Sequence, residues 1–195
     1  MSAPSPQMPH PLATDLALLY REQQLTGPVI EIAAGSGRTT RFLVESGIPV
    51  VSTREDESYT QLPGGRGLYA AAISTHSYLH GTIPKLRLGF AELRRVLRPG
   101  APIFITLGSI HDARFGLGTA YDDTTFAPGD GAEAGIPHVY FDRAGAIEVL
   151  APAFTVASLD EVEVDAIVGR WAHESPSGMC HWFAVAYRND SPTPA

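Results

Sequence analysis

Glu31, two glycines just beyond it and seven histidines are the residues of this 195-residue chain whose types and spacing can do chemistry. Gly35 and Gly37 follow the apolar run Val29-Ile30-Glu31-Ile32 and precede Thr39-Thr40-Arg41-Phe42-Leu43-Val44-Glu45. The run is long enough for a short buried strand, and the second stretch reads as a helix. Strand, small-residue turn and helix make a ligand-binding layout. Glycine takes backbone angles closed to other residues and lets a ligand approach the main chain. The N–H groups that open the helix favour a polar or anionic group. Glu31 is a carboxylate inside an apolar strand, and a buried carboxylate needs a hydrogen-bonding partner. Short glycine turns also join strands to helices with no ligand at all, so the turn by itself fixes no activity.

Histidine titrates near neutrality and is the natural general base. His138, in Gly135-Ile136-Pro137-His138-Val139-Tyr140-Phe141, is the first candidate for that role, and His76 is the second. His80, Arg114, Tyr140, Arg170, Trp171 and His173 are candidates for binding a substrate. The cations suit an acidic group and the aromatics suit a pocket wall. Each has an ordinary structural explanation too: a solvated histidine, a surface ion pair of small energetic worth, or an aromatic in the core. No metal is expected. His138, His173 and His181 lack a local ligand spacing, and Asp122, Asp123 and Asp130 do not follow a calcium-loop pattern.

These residues need a scaffold, and the composition supplies one. Hydrophobic residues make up 44% and charged residues 18%, which is an ordinary globular balance for one domain. Fourteen Lys and Arg against 21 Asp and Glu give a net charge of −7, which argues against nucleic acid or an anionic membrane surface as partner. Cys180 is the single cysteine, so an internal disulfide and cysteine-cluster zinc sites are excluded. No apolar stretch is long enough to cross a bilayer, and Met1 to Pro6 lacks the blocks of a signal peptide, so a cytoplasmic location is expected.

Residues 1–12, rich in proline and polar residues, read as a flexible arm, 13–188 as one domain, and 189–195 as a disordered tail. Helices are predicted over 13–25 with Thr14 or Asp15 as cap, over 39–45, over 83–97 and over 141–150 with Asp142 as cap. Strands are predicted over 29–32, 47–53, 68–74, 103–107, 154–164, 166–171 and 181–187. Residues 108–137 read as a long loop of the kind that serves function. The alternation implies an α/β fold with a doubly wound, mostly parallel sheet. The short link between the last two strands makes one of them antiparallel.

Two stretches together resemble the class I, S-adenosylmethionine-dependent methyltransferases. One is Val29 to Gly37. The other is Ala71-Ala72-Ile73-Ser74-Thr75-His76-Ser77-Tyr78-Leu79-His80, continuing into Glu92-Leu93-Arg94-Arg95-Val96-Leu97-Arg98-Pro99-Gly100 and the strand after it. The resemblance covers roughly residues 15–107. It implies a Rossmann-like methyltransferase fold with helices on both faces of the sheet and S-adenosyl-L-methionine lying across the carboxyl ends of the strands. It places the methionine end of the cofactor at Ala33, Ala34, Gly35, Ser36 and Gly37, with Glu31 supporting the turn, and the sulfonium beside Ser74, Thr75 and His76. Thr53, Arg54 or Glu55 falls where the family holds the ribose, and Asp56 is placed to contact the adenine.

The sequence departs from the family pattern in three places. Ala33 stands at the usual first glycine, Ala70 stands where many relatives carry an acid, and only Arg54 to Gln61 follow the second strand before the turn at Leu62-Pro63. A helix of ~11 residues and a strand of ~5 do not fit there. The chain is therefore expected to lack the family's second helix and third strand. The implied activity is methyl transfer to a small molecule, with the 108–140 segment as a substrate lid. The alternative is a binding module of the same fold without transfer activity, a homodimer whose partner covers the exposed sheet edge. A closed pocket lined by Glu31, Gly35 and Glu55 favours the enzyme, and an open apolar groove beside 55–61 favours the module. A nicotinamide-dependent oxidoreductase is disfavoured because the turn lacks the G-x-G-x-x-G glycines.

Overall fold

Short apolar runs separated by amphipathic segments build one sheet clad on both faces. The computed structural model describes residues 8–131, 133–164 and 178–190. In order these form α1 (Pro11–Glu22), β1 (Val29–Glu31), α2 (Arg38–Glu45), β2 (Val50–Ser52), β3 (Ala71–Ser74), a 3₁₀ turn (Ser77–Leu79), α3 (Ile83–Val96) and β4 (Pro102–Ser109). Then follow β5 (Thr119–Ala120), β6 (Thr125–Ala127), β7 (His138–Phe141), α4 (Arg143–Leu150), β8 (Phe154–Glu163) and β9 (Cys180–Arg188). Strands β2, β1, β3 and β4 lie side by side in parallel. β9 runs antiparallel along the other edge of β4, and β8 runs antiparallel to β9. The antiparallel final strand matches the expectation.

Side-chain alternation along the central strands divides the core in two, as a sheet buried on both faces requires. Ile30, Ala72, Ile103 and Ile105 pack with Leu86, Phe90 and Leu93 of α3 and with Val149 and Leu150 of α4. Val29, Ala71, Ile73 and Phe104 pack on the opposite face with Leu12 and Leu16 of α1 and Leu43 of α2. Among the described residues no helix is long and apolar enough to cross a membrane.

The predicted gap after β2 is present. Residues 53–70 contain no helix and no strand, so β2 is the sheet's edge. Side chains stand in for the absent elements. The Tyr59 hydroxyl donates to the His80 carbonyl at 2.6 Å, and the Leu62 N–H donates to Glu92 Oε1 at 2.9 Å. Arg95 holds Glu92 and donates to the carbonyls of Leu62 and Gly64. Gly89 lies inside α3, where glycine is costly, because a Cβ there would sit 2.4 Å from the Tyr59 ring.

Two expectations are corrected. Helix α1 begins at Pro11 rather than 13, and its cap is His10, whose Nδ1 accepts from the Leu12 N–H at 3.2 Å. Proline suits the first helical position because the N–H it lacks would have no helical partner there. The stretch 108–137 is not all loop. β5, β6 and β7 form a small antiparallel sheet, and Gly108 and Ser109 of β4 pair in parallel with Tyr140 and Phe141 of β7. Gly108 already uses its other edge to pair with His181, so β7 occupies the edge that β3 fills lower down. The small sheet therefore stands at the carboxyl end of β3. Asp142 caps α4 as predicted, accepting from the Gly145 N–H at 2.7 Å. The strand predicted over 166–171 lies outside the described residues.

Candidate functional site

A cleft of about 570 Å³ opens at the carboxyl ends of β1 and β3. Glu31 and the turn from Ala33 to Ser36 form one wall, Glu55 to Tyr59 a second and Thr75 to Ser77 a third, with His80, Glu133 and Ile136 also in the lining. Glu31, at the end of β1, accepts from the Thr40 hydroxyl, which is 2.7 Å from Ser52 Oγ. Burial pushes the Glu31 carboxyl up to about 6, although Thr40, Ser52 and the charge of Arg38 pull it down. Gly35 has φ +53°, and a Cβ there would lie 2.8 Å from Glu55 Oε1. The Glu55 carboxylate therefore sits directly against the turn.

Ala33 has φ +55°, so the departure from glycine is conformational as well as a matter of size. A left-handed backbone costs an L-residue with a Cβ roughly 1–2 kcal/mol. Ala33→Gly is expected to raise stability by about 1 kcal/mol, read as a shift of the urea midpoint at constant slope. An unchanged or lowered midpoint would show that the strain is relieved elsewhere.

Thr53 and Arg54 do not have their expected place. Thr53 is buried and serves the turn: its Oγ1 accepts from the Ala33 N–H and its carbonyl from the Ala34 N–H, both at 2.9 Å. The Arg54 side chain is 74% exposed and grips Asp56 with contacts of 2.9 and 3.0 Å. Glu55, Asp56 and Glu57 are the carboxylates that line the cleft at this point. Ser74 is buried beneath the cleft, and its hydroxyl has no hydrogen-bond partner among the described residues. Thr75 and His76 reach the wall.

The histidines are redistributed. His138 is 2% exposed and is absent from the cleft lining, with Nδ1 2.8 Å from the Ile136 carbonyl and Nε2 3.1 Å from Glu133 Oε2. It therefore stands behind the wall, not at a position to take a substrate proton. His80 lines the cleft, its ring edge-on to that of His138 at 4.6 Å between centroids. His76 lines the cleft with the His181 ring edge-on to it, centroids 6.1 Å apart. His181 is buried, and its Nε2 is 3.7 Å from Asp112 Oδ2. Burial holds the His181 imidazole down to about 4 even though Asp112 pulls it up. His10 is driven to about 2 by burial, with the charges of His76, Arg38 and His181 adding to the effect.

These shifts give a signed pH dependence. Unfolded histidines titrate near pH ~6.5. Below that pH the unfolded chain takes up protons that folded His10 and His181 refuse, so stability falls as pH drops. For His181 the loss runs down to about 4, and for His10 it continues lower. Each contributes up to about 1.4 kcal/mol per pH unit. Glu31, raised from 4.5 to about 6, opposes them between those two values. Chemical denaturation at pH 7.5, 6 and 5 is expected to show a net loss toward acid, and a flat profile would contradict it.

Arg114 is not available to a substrate. Asp112, whose side chain is 0% exposed, accepts from Arg114 Nε at 3.0 Å and Nη2 at 3.2 Å, and from the N–H groups of Arg114 and Cys180. Tyr140 is buried between Phe115 and Phe126, away from the cleft, and belongs to the core of the small sheet. Arg170, Trp171 and His173 lie outside the described residues. Nothing in the local sequence marks His10 or Glu133 apart from other histidines and acids. His10 has no motif, and Glu133 becomes notable only through the register of β7.

No protein-family model and no curated protein matches the sequence. Solved structures do match. An S-adenosylmethionine-dependent methyltransferase of Methanosarcina mazei superimposes with a TM-score of 0.67 at 13% identity, covering 88% of this chain and 97% of its own. The 1,6-didemethyltoxoflavin-N1-methyltransferase of Burkholderia thailandensis, solved with 1,6-didemethyltoxoflavin and S-adenosylhomocysteine bound, gives 0.65 at 16% identity over 92% and 79% of the two chains. The CcbJ methyltransferase of Streptomyces caelestis gives 0.58 at 14% identity over 93% and 91%. The chain thus has the Rossmann-like fold of the class I methyltransferases, which its glycine turn and its Arg98-Pro99-Gly100 junction resemble.

Proposed function

We propose that this chain is an S-adenosylmethionine-dependent methyltransferase acting on a small molecule. The observation that carries the proposal is the cleft walled by Glu31, Gly35 and Glu55 at the carboxyl ends of parallel strands, where open α/β sheets bind ligands. Its volume suits a small ligand. The turn from Ala33 to Gly37 receives the methionine end beside Glu31, Glu55 takes the ribose hydroxyls, and Asp56 faces the adenine. The module reading calls for an open apolar groove beside 55–61. Glu55, Asp56 and Glu57 line the cleft there and Tyr59 is buried, which favours the enzyme.

Methyl transfer from a sulfonium is an in-line displacement. A lone pair on the acceptor takes the methyl group, the C–S bond breaks, and neutral S-adenosylhomocysteine leaves. The protein aligns the two molecules and removes the acceptor's proton where it has one. We assign that proton to His76, because it lines the cleft. Glu133 and Ile136 bring the 108–140 segment to the cleft, in keeping with a lid.

Transfer of a labelled methyl group from S-adenosylmethionine to a panel of small oxygen, nitrogen and sulfur nucleophiles tests the proposal. His76→Ala is expected to lower transfer by about 100-fold while S-adenosylhomocysteine binding persists. Full activity in that variant would remove His76 from the role. A wild-type protein that neither binds S-adenosylhomocysteine nor transfers a methyl group would sink the proposal.

A further inference from the structure

We propose that His80, Glu133 and His138 form a binding site for one divalent transition-metal ion on the wall of the cleft. His80 Nε2 lies 3.3 Å from Glu133 Oε1, and His138 Nε2 lies 3.1 Å from Glu133 Oε2. One ligand atom from each residue falls within 4.8 Å of the other two. Donors ~2.0–2.1 Å from a tetrahedral ion stand about 3.3 Å apart, and each imidazole lies close to that distance from a different Glu133 oxygen, so the carboxylate faces both rings. Two imidazoles and one carboxylate suit zinc, cobalt, nickel or iron better than magnesium or calcium.

Three further features point to an ion rather than a simple ion pair. His80 Nε2 is buried and forms no hydrogen bond among the described residues, despite its short distance to Glu133. A histidine clamping a carboxylate would align its N–H on the oxygen. The His138 Nδ1 position faces the Ile136 carbonyl at 2.8 Å, which fixes that N–H and turns the Nε2 lone pair toward the triad. Such a contact to the second ring nitrogen is the usual companion of a metal-bound histidine. The backbone also brings the rings together: His80 and His138 form an antiparallel bridge, and the Gly81 N–H donates to the Pro137 carbonyl at 2.7 Å.

Arg114 Nη1 is 3.4 Å from Glu133 Oε2, but its charge is already matched by Asp112. Three protein ligands leave a further coordination position. His80 and Glu133 line the cleft, so that position opens toward a bound oxygen or nitrogen ligand. The ion would also tie the segment after β3 to the small sheet. None of this depends on methyl transfer.

Co²⁺ alone is the probe. Protein without an affinity tag, first stripped by a chelator, is expected to develop a visible ligand-field absorption saturating at one Co²⁺ per chain, and Zn²⁺ is expected to displace it. Glu133→Gln and His80→Ala, checked for folding by circular dichroism, are each expected to weaken Co²⁺ binding by more than about 100-fold. His111→Ala, on an exposed histidine outside the triad, is expected to keep it. Absence of Co²⁺ uptake by the wild type, or equal uptake by folded Glu133→Gln, would overturn the site and leave the triad as an ion-pair clamp.

Discussion

Gly35→Val is expected to abolish S-adenosylhomocysteine binding in a chain that still folds. Gly35 has φ +53°, a conformation that costs an L-residue roughly 1–2 kcal/mol and is least tolerated by a β-branched one. The new Cβ would also stand 2.8 Å from Glu55 Oε1, so the carboxylate assigned to the ribose must move. The substitution thus removes the close backbone approach and displaces a neighbouring ligand together. A loss of more than about 100-fold, or roughly 2.7 kcal/mol, is the expected scale in a calorimetric titration. Gly35→Ala, with a smaller side chain, is expected to fall between. Wild-type affinity in the valine variant would show that the cofactor does not lie on this turn.

Asp112→Ala is expected to cost about 3–5 kcal/mol of stability, the largest effect of any single substitution considered. Its side chain is completely buried and receives two contacts from the Arg114 guanidinium and two backbone N–H bonds. Removing it takes from Arg114 its two closest contacts, leaving the 3.4 Å one to Glu133, and takes from the Cys180 N–H the acceptor it has. Burial pulls the Asp112 carboxyl up, but the hydrogen bonds and charge of Arg114 and the Cys180 N–H outweigh it, so the net shift is downward. A lowered folded value means that the stabilisation is present above the unfolded carboxylate range and is lost as pH falls through the folded value. Asp112→Asn should therefore be less stable near neutrality and lose less on acidification. A cost below about 1 kcal/mol in urea unfolding of Asp112→Ala would contradict the role given to this pair.

The parts of the fold that could be read from the sequence have strong local causes. The apolar run before Gly35, the leucine and phenylalanine spacing of α3, and Arg98-Pro99-Gly100 before β4 each specify an element from neighbouring residues. The absence of the helix and strand follows from counting Arg54 to Gln61 before the turn at Leu62-Pro63, since geometry limits what so few residues can build. The errors arose where distant register decides. Thr53 and Arg54 differ from Glu55 only in the direction the chain takes after β2, which no local pattern shows. Strands of two to four residues among glycines carry too little alternation to be seen, so the small sheet read as loop. The pairing of His80 with His138 depends on that sheet, and Glu133 gained meaning only with it. Arg114 reads as a free cation in the sequence because nothing local shows that Asp112, two residues away, is buried and paired with it.

Whether the cleft holds the cofactor is read by calorimetric titration of S-adenosylhomocysteine into the wild-type chain. Micromolar, one-to-one binding is expected, because Glu31, Gly35 and Glu55 wall one cleft despite the missing helix and strand. No heat of binding at millimolar ligand, in protein shown to be folded, would contradict it.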